Sequence, residues 1–227
     1  MSTDGLFKDF VDRGKLAIVD WEKERLLGPK WIAGIDCGLD GAIVLLSGDP
    51  DLQPVKFVMP TIEVKQKGAK KGSSKRFYDG PAIRRFLTEH NIIHVFIEAQ
   101  QAQTKPTIRR CGNCGTIVAS TTPQGTVSTF TTGRGFGLIE GICVGIPIKY
   151  ELVHPRSWQP KMLPPGQGDS KPRARIAAGR LFPALDLRAN DRCRVPHEGV
   201  VDALLIAEFG RRRLGGDIAP EDPILGF

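Results

Sequence analysis

The stretch Trp31-Ile-Ala-Gly-Ile-Asp36-Cys-Gly-Leu-Asp-Gly41-Ala-Ile-Val-Leu-Leu46 decides how this chain is read. Two apolar runs, 31–36 and 41–46, flank Cys-Gly-Leu-Asp-Gly, whose glycines and Asp40 suit a tight hairpin. The first run ends on a carboxylate, and a charge at the end of a buried strand is costly unless something compensates it. Two later elements repeat the pattern. Glu98 closes Ile92-Ile-His-Val-Phe-Ile-Glu98, and Asp202 lies inside Val200-Val-Asp-Ala-Leu-Leu-Ile-Ala207.

Each acid has a plain account by itself. Asp36 suits a turn cap, Glu98 a solvated strand edge, and Asp202 a buried salt bridge to an arginine. Together they are more specific. Asp36 and Glu98 both fall at C-terminal strand ends, where open α/β sheets bind ligands if the two strands are adjacent and parallel. Glu198 precedes Asp202 by one helical turn, on the same face. Hard oxygen donors clustered this way suit Mg²⁺ or Mn²⁺. Two such ions about 4 Å apart activate a water and stabilise a departing 3′ oxygen.

Length and charge agree with this chemistry. A chain of 227 residues suits one domain with insertions or a small appendage. Its net charge of +7 favours an anionic partner, most commonly nucleic acid. Five cysteines, an odd number, do not form a secreted disulfide framework. No early segment has signal-peptide form and no apolar run is long enough to span a bilayer. An intracellular protein with no membrane partner is expected.

Along the chain, residues 1–30 are charged and carry Phe7, Phe10, Val11, Leu16, Ile18, Val19 and Trp21, which predicts a helical N-terminal extension. A third strand is expected at 54–59, a mobile basic loop over 65–76, and a helix begun at Asp79 or Gly80 with Pro81 in its first turn. A buried strand follows at 92–97, then a polar stretch to about 132, a glycine-rich helix at 136–146 and a strand at 148–153. A loop at 164–168, a basic helix at 170–182, a mostly buried helix at 198–213 and a tail at 214–227 complete the chain. The order is β-β-β-α-β-α-β-α with one further helix before the last, an α/β protein.

Gly-Ile-Asp (34–36), Phe-Ile-Glu (96–98) and His-Glu-Gly-Val-Val-Asp-Ala-Leu-Leu-Ile-Ala (197–207) occur in that order. Between them lie Gln-Gly-Thr-Val-Ser-Thr-Phe-Thr-Thr-Gly-Arg-Gly-Phe-Gly-Leu-Ile-Glu-Gly (124–141) and Pro-Arg-Ser-Trp-Gln (155–159). This set resembles the RuvC-type Holliday-junction resolvases, and looks most like the phage-type and chloroplast members. The resemblance implies a ribonuclease H-like fold over 31–213, with a mixed five-stranded sheet flanked by helices. It implies a homodimer that cuts four-way branched DNA by paired, symmetric, Mg²⁺-dependent nicks in DNA recombination, repair or phage genome processing. The expected setting is the cytoplasm of a bacterial or phage-infected cell, since the acidic, Arg-poor start does not look like a transit peptide.

By the same resemblance, Asp36 and Glu98 are the first metal ligands and Asp202 the helix carboxylate. Bacterial members place an acid or histidine three residues before the helix aspartate, where this chain has Gly199. Phage-like members place it about a turn earlier, which points to Glu198, with His197 as competitor. His197 also suits a general base or a structural residue at the helix start. Bacterial members carry an aromatic residue shortly after the catalytic glutamate; Ala99–Gln103 has none.

Lys65, Lys67, Lys70, Lys71, Lys75 and Arg76 form the densest basic run, suited to phosphate contacts or to a solvated loop. Lys171 and Arg173, with Arg175 and Arg180, form a second set, and Arg134 sits between glycines that permit close approach to a strand of DNA. Gly133, Gly135, Gly137, Gly141 and Gly145 suit either a dimer seam or packing on the sheet.

The region 104–122 looks like an insertion and contains Cys111-Gly-Asn-Cys114-Gly. Two thiolates so spaced make half of a zinc site, but a closed site needs four ligands. The other half comes from a second subunit, from distant residues, or is absent, leaving a plain loop or a labile thiol pair. Two other functions fit the same carboxylates: a non-enzymatic junction-binding protein, and a nuclease acting on RNA–DNA hybrids or other branched substrates. A sugar-kinase fold shares Gly-Ile-Asp-x-Gly but needs a second domain that this chain is too short to hold.

Overall fold

A computed structural model describes residues 28–65, 74–100, 104–111, 113–123, 125–146 and 148–216. Most of the expected 1–30 extension, Lys67, Lys70 and Lys71, and most of the 214–227 tail lie outside the described residues.

Strands β1 (Lys30–Asp36), β2 (Ala42–Ser47) and β3 (Val55–Val58) form an antiparallel meander. Strand β4 (Thr61–Lys65) pairs with β5 (Ser74–Tyr78) in a separate antiparallel ribbon. Helix α1 (Gly80–Glu89) then leads into β6 (Asn91–Glu98). A second ribbon, β7 (Thr104–Arg110) with β8 (Ile117–Pro123), precedes helix α2 (Thr126–Gly145) and strand β9 (Tyr150–Val153). Helices α3 (Pro155–Met162), α4 (Ser170–Leu181) and α5 (Glu198–Leu214) follow.

The main sheet has the order β3-β2-β1-β6-β9. β6 runs parallel to both β1 and β9, while β2 runs antiparallel to β1 and β3. This is the mixed five-stranded sheet flanked by helices, in an α/β protein, that the sequence led us to expect.

Alternation along the strands sorts the core into two layers. Trp31, Ala33 and Ile35 of β1, Ile43 and Leu45 of β2, and Val95 and Ile97 of β6 pack with Ile83 and Leu87 of α1 and Ile139 and Cys143 of α2. Ile32, Val44, Leu46 and Phe96 pack on the opposite face against α3, α4 and α5. Helix α5 is buried from Gly199 to Gly210 except at Asp202, which explains its apolar composition all round.

The sequence reading needs four corrections. Helix α2 begins at Thr126, ten residues before the expected start, because its first turns are rich in Thr, Ser and Gly and carry no apolar period. The stretch read as polar loop around 104–122 is largely the β7–β8 ribbon, whose Thr-Lys-Pro-Thr-Ile-Arg-Arg strand lacks the alternation of a half-buried sheet. The basic loop was drawn too wide, since Lys65, Lys75 and Arg76 belong to the β4–β5 ribbon. Helix α3 was missed: Pro155 starts it and Pro160 lies inside it, and proline is a poor helix signal away from a first turn. The cap of α1 is as expected, with the Asp79 carboxylate accepting from the Ala82 N–H at 3.1 Å.

Candidate active site

Asp36 and Glu98 share the parity of Ile32, Gly34 and Phe96, so both belong to the sheet face covered by α5. The register Gly34↔Phe96, Ile35↔Ile97 brings them next in line at the C-terminal ends of two adjacent parallel strands. Helix α5 reaches them because glycine stands at two points of contact. A Cβ on Gly34 would lie 2.2 Å from the Ala203 carbonyl oxygen and 2.3 Å from the Ala207 nitrogen. A Cβ on Gly199 would lie 2.5 Å from the Asp40 carbonyl oxygen and from Gly41 Cα. An acid or histidine therefore has no room at 199, and the helix start is pressed onto the turn that follows Asp36.

Asp36, Glu98 and Asp202 line one cleft of about 660 Å³, together with Asp40, Lys171, Arg175, His197 and Glu198. The Asp36 Oδ1 accepts from the Gly38 N–H at 3.1 Å. The Glu98 Oε1 accepts from the indole N–H of the buried Trp158 at 3.2 Å. Asp202 has no hydrogen bond or ion-pair partner among the described residues, so the arginine pairing considered for it is absent there.

The electrostatics follow from burial and from this crowding of acids. Burial, then Asp36 and Asp202, push the Glu98 carboxyl up to about 8 against the pull of the Trp158 hydrogen bond. Burial, then Asp36 and Glu198, push Asp202 up to about 7, with Lys171 opposing. Asp36 is raised by burial and, more weakly, by Asp40, with the Gly38 N–H and His197 opposing. Like charges thus share one pocket.

Glu198 is differently held. Its Oε2 meets Lys171 and its Oε1 accepts from Arg175 at 3.0 Å, and the Lys171 hydrogen bond draws its carboxyl below the usual range. His197 caps α5, its Nδ1 accepting the Val200 N–H at 3.3 Å, which is the structural role considered for it. The ring also lines the cleft.

The donor set suits a hard divalent cation: buried carboxylate oxygens whose mutual repulsion a cation relieves. Among the described residues, no three His, Cys, Asp or Glu side chains converge tightly enough to form a ligand sphere by themselves. Mg²⁺ tolerates that, because it binds through one or two carboxylates and keeps waters and phosphate oxygens.

The basic residues fall in three places. In the β4–β5 ribbon, Arg76 pairs with Asp40 at 2.8 Å and Lys75 lies 5.5 Å from the Phe77 ring centroid. Arg134, on α2, lies 5.8 Å from the same ring. Phe77, Tyr78, Phe130, Arg134 and Lys75 line a recess beside the cleft. Lys171 borders the carboxylates, whereas Arg173 turns away and donates to the Pro164 carbonyl at 3.2 Å. Cys111 and Cys114 lie apart, at the end of the β7–β8 ribbon.

Two side chains were not singled out from sequence. Trp158 orients Glu98; its signal was a tryptophan within Pro-Arg-Ser-Trp-Gln, read as a motif without a role. The Tyr78 hydroxyl donates to the Cys37 carbonyl at 2.8 Å, tying the β4–β5 ribbon to the turn after Asp36. Gly135 lies under the Tyr78 ring, where a Cβ would come within 2.3 Å, so this glycine serves packing within the chain. At Gly133, Gly137, Gly141 and Gly145 an added Cβ meets nothing within 4 Å.

No family model matches this sequence, and no curated protein matches it. Among solved structures, the chain is similar to T. thermophilus RuvC in complex with Holliday junction substrate, at a TM-score of 0.49 and 9% identity. It is also similar to the Thermus thermophilus RuvC structure, at a TM-score of 0.46 and 13% identity. Each likeness covers 82% of this chain and 96% of the other.

Proposed function

We propose that this protein is a metal-dependent endonuclease that resolves four-way DNA junctions by paired nicks. One observation carries the reading: Asp36, Glu98 and Asp202, from three separate elements, share a cleft in which none of the three has an ion-pair partner among the described residues, and Asp36 and Asp202 help to raise the Glu98 carboxyl. Retaining such a cluster is unfavourable unless a bound cation uses it.

Asp36, Glu98 and Asp202 would hold the Mg²⁺ or Mn²⁺, with Glu198 as a fourth ligand once it leaves Lys171 and Arg175. Bound ions supply an activated water and a counter-charge for the departing 3′ oxygen of an in-line displacement. The chain's own residues do the rest. Trp158 fixes the Glu98 carboxylate through its indole N–H. Lys171 and Arg175 exchange Glu198 for a DNA phosphate, which draws the strand to the cleft and frees a carboxylate in the same event. Lys65, Lys75 and Arg76 on the β4–β5 ribbon, with Arg134, grip the flanking backbone without reading sequence.

A homodimer fits the four-way substrate, because a two-fold pair of sites matches two symmetric strands. Exposed Phe130, Gly133, Gly137, Gly141 and Val144 recur at helical spacing along α2 and make a face suited to a second copy. In a bacterial or phage-infected cell such an enzyme belongs in the cytoplasm, with the DNA. No helix among the described residues is long and apolar enough to cross a membrane.

The test is cleavage of an end-labelled four-way junction beside a linear duplex and an RNA–DNA hybrid, each with Mg²⁺ and with EDTA, using the native chain and Asp36→Asn. Symmetric nicks in the junction alone, lost with EDTA and in the variant, are expected. Binding without nicks would leave a junction-binding protein. Cleavage of the hybrid would keep the site and change the substrate.

A further inference from the structure

The two cysteines at the end of the β7–β8 ribbon have a geometry the nuclease reading does not use. The β7–β8 ribbon is in register from Thr104↔Pro123 to Arg110↔Ile117, so Cys111 and Cys114 sit in the connection at its end. The Cys111 N–H donates to the Thr116 carbonyl and the Gly115 N–H to the Cys111 carbonyl, both at 2.9 Å. These bonds bring the backbone of Cys111 against that of Gly115 and Thr116. Gly115 has φ of +70°, a conformation that a side chain would strain, so the glycine after the second cysteine is required by the turn.

The thiols are prepared for a soft cation. Cys114 is exposed and lies 3.1 Å from the Thr116 hydroxyl. Two sulfurs on one tight turn supply two corners of a tetrahedron, and among the described residues no third His, Cys, Asp or Glu joins them.

We propose that the Cys111–Cys114 turns of two copies of this chain together hold one zinc ion through four thiolates. A tetrahedron contains two-fold axes, so two identical pairs related by such an axis close the site without any other ligand. Ile117 beside the thiols is 63% exposed, an apolar side chain that a second tip would cover. Reach is sufficient. Seven residues of strand extend about 23 Å, so two tips meet even with their roots about 45 Å apart. That exceeds the roughly 30 Å length of the 20-residue α2, to whose start each ribbon is joined. The inference shares with the proposed function only the second copy; it requires neither DNA nor the carboxylates.

The test uses the full chain, purified without chelator, and its Asp36→Asn variant, so that zinc is scored independently of cleavage. Zinc is counted by emission spectroscopy after gel filtration, and Co²⁺ loading is followed by absorption. One zinc per two chains is expected in both proteins, together with the intense visible bands of tetrahedral cobalt thiolate. Cys111→Ser and Cys114→Ser should each lose the metal while keeping the native circular dichroism spectrum. One zinc per chain would overturn the bridge. No retained zinc after stoichiometric loading, or retention in either serine variant, would overturn the site.

Discussion

Asp202 and Glu208 stand on the same helix, and the protein answers their charges in opposite ways. Glu208 is only 2% exposed, yet Arg211 and Arg212 reach it at 2.7 and 2.8 Å. Burial pushes its carboxyl up, but the two guanidiniums outweigh that and hold it below the usual range. Asp202 is less deeply buried and has no such partner, so burial and its acidic neighbours carry it up to about 7. A buried acid with its own arginines is part of the fold. One left among other acids, beside two strand ends, is on the proposed reading held for a cation.

The sharpest break of this contrast is a pair of substitutions. Asp202→Asn should lower junction cleavage about 10³-fold, as loss of a group acting on transition-state charge does, while raising the melting temperature of the metal-free chain. Glu208→Gln should do the reverse, leaving cleavage within a few fold but lowering stability by about 2 to 3 kcal/mol. Equal effects of the two on cleavage would end the distinction.

Acid and base separate them next. The folded chain binds protons at Glu98 and Asp202 more tightly than the unfolded chain does, so folding releases none of them below about pH 4. Their contribution to stability is therefore complete there and is lost as pH rises through about 7 and 8. Glu208 has the opposite sign, because its carboxyl is depressed: its contribution is present above the normal carboxylate range and fails only in acid. Thermal melts of metal-free protein should fall by roughly 5 °C or more between pH 5.5 and 8.5. Saturating Mn²⁺ should flatten that slope, and a flat metal-free profile would contradict the site.

Among the described residues, Trp158→Phe probes the one neutral side chain that donates to the three acids. It should raise the metal concentration for half-maximal cleavage about tenfold, with the rate at saturating metal retained. Smallest of all is Lys171→Gln, which leaves Glu198 to Arg175. Junction affinity should drop a few fold and the slope of log affinity against log salt should fall by about 1.

The sequence made the three carboxylates legible because each ends or interrupts an apolar run, a conflict visible without a structure. The sheet was legible for the same reason: 31–36, 41–46, 54–59, 92–97 and 148–153 are apolar enough to be core. The two ribbons were not, since β4–β5 and β7–β8 stand outside the main sheet and need no apolar alternation. Nor was the reason for Gly199, which depends on how closely a helix at the end of the chain meets a turn near its beginning. The state of Glu198 was hidden likewise, because its partners Lys171 and Arg175 come from another helix.

Helix α5 has a consequence in time as well as space. It supplies Asp202, much of one core layer and the glycine contact against the turn after Asp36, and it is the last described element of the chain. During synthesis the strands bearing Asp36 and Glu98 emerge long before it. A chain interrupted ahead of residue 198 has two of the three acids and lacks the helix that supplies most of one core layer. Translation order thus separates the three acids in time: the proposed metal site has no third carboxylate until residue 202 has been made.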